Sequence, residues 1–170
     1  AHSRIPATAK TEDALESIFV LLRAQTGHDF SKYKPSTIYR RIARRMAVHQ
    51  IDSIDAYVNY LQHTSPEGEA LFRDLLIGVT SFFRDPEAFR VLEQQVIPQL
   101  FENRTTDSPI RTWTTGCSTG EEAYSLAILL VERMEALGLN CKLELFASDV
   151  DSRAIAAARA GLYPVSIAAD

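Results

Sequence analysis

Residues 110–130 read IRTWTTGCSTGEEAYSLAILL, and the order of residue types in this stretch decides the fold. Ile110-Arg111-Thr112-Trp113 is β-rich, and Thr114 to Gly120 is a run of small residues. Glu121-Glu122 then opens an amphipathic helix built on Tyr124, Leu126, Ala127, Leu130 and Val131. Strand, glycine-containing turn and helix N-terminus is the layout with which a doubly wound sheet presents a cofactor. The details exclude its commonest owners. No Lys follows Gly120, so no P-loop lysine reaches a β- or γ-phosphate, and Gly116 and Gly120 do not fit the G-x-G-x-x-G spacing. Glu121 and Glu122 stand where a pyrophosphate would sit, and like charges repel. An acidic first turn suits a cofactor that is cationic or carries an amino group.

The next strand agrees. Lys142 to Ser148 (KLELFAS) alternates as a β-strand and ends at Asp149. That acid lies about 30 residues beyond the loop, further than the roughly 20 of dinucleotide folds. At the carboxyl end of a second strand it is placed to accept hydrogen bonds from ribose hydroxyls. A nucleoside without pyrophosphate, with a positive or amino-bearing tail, describes S-adenosylmethionine. The competing reading is that Asp149 and Asp151 only cap the following helix, Ser152 to Ala160.

Working outward, residues 1–10 read as a linker or tail and residues 11–78 as an all-helical domain. Residues 79–170 read as the start of the α/β domain. Thr11 opens a helix ending at Gly27, and Pro35 suits the first turn of a second that reaches Val48. Ser53 starts a third and Ser65-Pro66 a fourth. Asp85-Pro86 caps a helix running to Phe101, and Asn103 to Pro109 is turn-forming. A net charge of −4 over 170 residues argues against nucleic acid as a general partner. No apolar run approaches the roughly 20 residues of a membrane span. Cys117 and Cys141 make no metal spacing and point to a reducing, cytoplasmic compartment. Cys117 reads as a small loop residue, since no partner His is evident nearby.

The segments VTSFFRDPEAF, GCSTGEEAYSLA and FASDVDSRAIAAARAGLYP occur in that order. Together they resemble the CheR-type chemotaxis receptor glutamate methyltransferases. HDFSKYKPSTIYRRIARRM resembles the helical leader of the same family, and the likeness runs from about Thr11 onward. More narrowly, LLIGVTSFFRDPEAF is similar to the version in hybrid proteins that fuse methylesterase, methyltransferase and sensory modules. The resemblance implies methyl transfer from S-adenosylmethionine to receptor glutamates, leaving S-adenosylhomocysteine. It implies cofactor contacts at Thr80, Arg84, Gly116, Glu122 and Asp149, with Arg84 as the catalytic candidate. Many relatives carry Asn where this chain has Gly78, so that contact is missing or passes to backbone.

On the second helix Arg40, Arg41, Arg44 and Arg45 form two i, i+4 pairs spanning about 140° of the wheel. The resemblance implies docking on the acidic methylation helix of a chemoreceptor; a solvated face is the alternative. Family members continue with further strands, an Asn-containing cofactor motif and a small β-subdomain, whereas this chain ends at Asp170. The expectation is therefore an incomplete Rossmann-like sheet, with weak cofactor binding and no activity from the fragment alone. Its unpaired strand edge invites self-association. A non-catalytic cofactor- or receptor-binding module of a larger signalling protein is the alternative function.

Overall fold

The computed structural model describes residues 9–102, 109–165 and 167, and it divides into two compact units, 1–77 and 78–170. Most of the 1–10 tail and the turn expected over 103–108 lie outside the described residues.

The first unit is helical: α1 (Ala9–Thr26), α2 (Pro35–Val48), α3 (Ile54–His63) and α4 (Ser65–Leu75). Leu15, Ile18 and Leu22 recur at three- and four-residue spacing on α1. They meet Ile38, Ile42 and Met46 of α2, Tyr57 and Leu61 of α3, and Leu71 and Leu75 of α4. Each fully buried Leu or Ile contributes about 1.5–3 kcal/mol of apolar burial. Pro35 begins α2, where its missing N–H costs nothing. Ser53 caps α3 by accepting the Ala56 N–H at 3.2 Å.

In the second unit α5 (Pro86–Val91), a π-helical turn (Leu92–Val96) and α6 (Ile97–Phe101) run on as one helix. The sequence pattern suggested an unbroken helix here. Eight residues separate Phe89 from Ile97, which in a plain α-helix places them about 80° apart around the axis. The wider turn absorbs a residue, so both reach the core formed with Phe101, Ile110, Leu129, Leu130 and Cys141.

Strand β1 (Ile110–Thr115) lies parallel to β2 (Leu143–Ser148), with Ile110 opposite Leu143 and Thr115 opposite Ser148. Helix α7 (Glu121–Ala136) connects them, and α8 (Ser152–Ala160) follows β2. This is the expected α/β arrangement of a helical domain followed by the first β-α-β-α of a doubly wound sheet. The apolar face of α7 differs from the sequence reading. Leu129 and Leu130 are buried, while Tyr124 and Val131 stay about 40% exposed, the Tyr124 hydroxyl donating to the Ala158 carbonyl of α8 at 2.9 Å. Trp113 and Phe146 are register partners on the open face of the sheet, 69% and 56% exposed. The Trp113 Nε1–H donates to Ser148 Oγ at 3.0 Å. Among the described residues no helix is long and apolar enough to cross a membrane, and no acidic, His or Cys cluster could hold a metal ion.

Candidate cofactor site and basic helix face

The loop after β1 folds back over the end of β2. The Cys117 N–H donates to the Ser148 carbonyl at 3.0 Å, and the Ser118 N–H donates to Asp149 Oδ2 at 2.8 Å. Asp149 Oδ1 accepts the Asp151 N–H at 2.8 Å, while Asp151 itself caps α8 through the Arg153 and Ala154 N–H groups. The two acids are thus divided: Asp151 is the cap, and Asp149 ties the loop to the end of β2. A carboxylate offers about four lone-pair sites, so two remain for a ligand hydroxyl.

Ser118 has φ 48°, a left-handed conformation uncommon for a residue with a Cβ, and the Asp149 bond helps to hold it there. Gly78 presses against the same residue. A Cβ at Gly78 would lie 3.1 Å from Ser118 Oγ, so a larger residue there asks that hydroxyl to give by a few tenths of an ångström. Gly120 has φ 100°, and a Cβ there would meet Ala158 and Tyr163 within 3.0 Å. A Cβ at Gly116 would meet nothing within 4 Å, so the loop is open beside it.

Two acids begin α7, where the helix dipole favours them. Glu121 Oε2 accepts the Thr119 hydroxyl at 2.6 Å, which leaves Glu122 as the exposed acid of the first turn. The Cys117 thiol is raised above its ordinary range by burial and then by the negative charges of Asp149, Glu122 and Glu121, which disfavours the thiolate.

Residues 78–84 form a strap in the same unit. Arg84 Nη1 donates to the Val79 carbonyl at 2.6 Å, closing the strap as a turn, while the guanidinium remains exposed. Thr80 is half-buried. Phe83 sits at φ 48°; its N–H donates to Ser125 Oγ at 3.0 Å, and its ring packs edge-on against Phe89 at 5.2 Å. Sequence reading assigned nothing to Ser118, Ser125 or Tyr163. Their partners lie 31, 42 and 44 residues away along the chain, and no local pattern reports such pairs.

A cavity of about 260 Å³ lies behind the loop, between α7, β2 and α8, lined by Cys117, Ala123, Ala127, Ala147 and Ala158. It touches none of Gly78, Thr80, Arg84, Glu122 or Asp149. Tyr124, Leu145, Ile155 and Arg159 also line it.

In the helical unit the four arginines of α2 do not share one environment, which corrects the reading of a uniform face. Arg45 is only 17% exposed and pairs through Nε (2.8 Å) and Nη2 (2.5 Å) with Glu67 of α4. Glu67, 3% exposed, also accepts the Tyr57 hydroxyl at 2.7 Å and lies 2.7 Å from His49 Nε2. Burial alone would raise the Glu67 carboxyl, but hydrogen bonds from Arg45, Tyr57 and His49 outweigh it and hold it below the ordinary range. Burial and the same carboxylate push the Tyr57 hydroxyl up. Arg40 and Arg44 are exposed, Arg44 at 3.9 Å from Asp74, and Arg41 is half-buried. The exposed charge of α2 therefore comes mainly from Arg40 and Arg44, with Arg41 half-buried.

Comparison with known proteins matches both units. Residues 78–170 match the CheR methyltransferase, SAM binding domain, and residues 13–76 the CheR methyltransferase, all-alpha domain. The chain is 43% identical over 158 residues to an uncharacterized 104.1 kDa protein of Rhodobacter capsulatus, covering 93% of this chain and 17% of that protein. It is 30% identical to the chemotaxis protein methyltransferase of Borreliella burgdorferi, covering 91% of this chain and 56% of that protein. With chemotaxis protein methyltransferase 2 of Pseudomonas aeruginosa it shares 32% identity, over 91% of this chain and 53% of the other. It thus spans about half the length of these two methyltransferases. Loop, strap and nearly all of the four helices fall within the matched segments, and the chain belongs to the CheR methyltransferase family.

Proposed function

We propose that this protein transfers a methyl group from S-adenosylmethionine to glutamate side chains of chemoreceptors, giving methyl esters. The observation that carries the reading is the convergence on Ser118: Asp149 holds its N–H and Gly78 lies against its hydroxyl. Three chain segments meet there, around a loop with open space at Gly116 and acids at the start of α7. That set fits a nucleoside with a cationic, amino-bearing tail and disfavours a pyrophosphate.

When bound, S-adenosylmethionine supplies an electrophilic methyl group on a sulfonium. Asp149 has lone pairs left for the ribose hydroxyls, and Glu122 is an exposed acid suited to the positive tail. Thr80 and Arg84 close the site from the strap. A glutamate with an ordinary pKa of about 4.3 is already ionised at neutral pH, so no general base is needed. What the chain must supply is alignment. One Arg84 N–H is used on Val79, and the others can grip one oxygen of the acceptor carboxylate while the second attacks. That grip has to be loose enough not to quench the nucleophile. Charge diminishes as carboxylate and sulfonium combine, so exclusion of water by Phe82 and Phe83 favours the step. Arg40, Arg41 and Arg44 are the proposed contacts to an acidic receptor helix.

Isothermal titration of the full-length protein with S-adenosylhomocysteine, followed by radiolabel transfer to a chemoreceptor, tests the reading. Saturable binding with label in base-labile esters is the expected result. No binding would remove the cofactor assignment, and binding without transfer would favour a non-catalytic module.

A further inference from the structure

The strap and the cofactor loop are bridged twice by side chains to which the family comparison gives no role. In the first bridge, Ser125 is fully buried; its Oγ accepts the Phe83 N–H at 3.0 Å and donates to the Glu121 carbonyl at 2.8 Å. A hydroxyl has one donor and two acceptor lone pairs, so it serves both ends at once. In the second bridge, the Tyr163 hydroxyl donates to the Thr119 carbonyl at 2.7 Å, and its ring meets Phe82 edge-on with centroids 5.0 Å apart. Tyr163 also stands under Gly120, at the one place where a Cβ would collide with it. Both bridges join residues 82–83 to residues 119–121. Arg84 is the next residue along, and Phe83 is held at φ 48°, which an unpinned Phe would leave.

We propose that Ser125 is a positioning residue for Arg84, with Tyr163 as the second half of the same latch. Together they fix the spacing between the guanidinium and the loop that faces the cofactor. The inference rests on the reading above that Arg84 meets the acceptor carboxylate. Loss of the Ser125 hydroxyl leaves the Phe83 N–H without its partner and lets the strap relax, displacing Arg84 while Asp149 and Gly116 stay in place.

The test uses the full-length protein and the variants Ser125→Ala, Tyr163→Phe, Arg84→Ala and the Ser125→Ala/Arg84→Ala double. Ser125→Ala should lower kcat by on the order of 10–100-fold, with affinity for S-adenosylhomocysteine changed by less than about threefold. The double variant should be no slower than Arg84→Ala alone, because the serine acts through the arginine. Multiplying losses, a parallel fall in cofactor affinity, or full activity of Ser125→Ala would each overturn the proposal. Tyr163→Phe removes a single oxygen and carries the same test should Ser125→Ala fail to fold. If wild type binds S-adenosylhomocysteine but methylates no receptor, the function fails and the latch is judged by amide exchange at Phe83. Exchange should then be slow in wild type and fast in Ser125→Ala; equal rates in the two proteins would sink the latch.

Discussion

One oxygen of Asp149 accepts the Ser118 N–H and the other accepts the Asp151 N–H, so the carboxylate shapes two loops as well as offering lone pairs to a ligand. Asp149→Ala should therefore weaken S-adenosylhomocysteine binding by about 1.5–3 kcal/mol, the range for hydrogen bonds to a charged group. Calorimetry on the folded variant checks this, and unchanged affinity would take Asp149 out of the site. Arg84 makes a different kind of contact. Its side chain donates to the Val79 carbonyl and is otherwise exposed among the described residues, so Arg84→Ala should cut turnover far more than cofactor affinity. Equal losses, read from kcat and from titration, would recast it as a cofactor ligand.

At the scale of elements, α2 separates into a structural side and an available side. Reversing Arg40 and Arg44 to Glu changes the local charge by four units and leaves the Arg45–Glu67 pair intact. Receptor methylation should fall mainly through association rate, with a flatter dependence on salt, while cofactor affinity is unchanged. Identical rates and salt slopes in wild type and variant would make the face merely solvated. Glu67→Gln acts elsewhere: it strands a mostly buried Arg45 and should cost on the order of 3 kcal/mol in the stability of the helical unit. The pH dependence has a definite sign. Glu67 is held below its ordinary 4.5 when folded, so its contribution is present above that value and is lost as pH falls through the folded value. Urea titrations of wild type across that range should show the loss, and Glu67→Gln should flatten it. The arginines also mark the limit of what the chain's order reveals. Helical spacing places α2, and turn residues place its ends, because those are local properties. The partner of Arg45 is 22 residues away on another helix, and only packing brings it there. The same holds at the site: Gly116, Glu122, Asp149, Ser125 and Tyr163 all sit in the quoted motifs, but the partners of Ser125 and Tyr163 lie 42 and 44 residues away and only tertiary structure brings them together.

Across the molecule, each unit has its own core, one built on residues 15–76 and the other on 83–145. The second is the less complete as described. Its two strands leave the Trp113–Phe146 face open, and two strands are few for a sheet to be stable unaided. The chain has a single tryptophan, and it lies on that face. Its emission is accordingly a private reporter: it follows the sheet unit and is blind to the four helices before Gly78. Far-ultraviolet dichroism, by contrast, sums the helices of both. A single melt recorded by the two probes thus distinguishes one cooperative block from two. Glu67→Gln, which touches the helical unit alone, should move the dichroism trace and leave the tryptophan trace in place, and coincident shifts would mean that the two units melt as one.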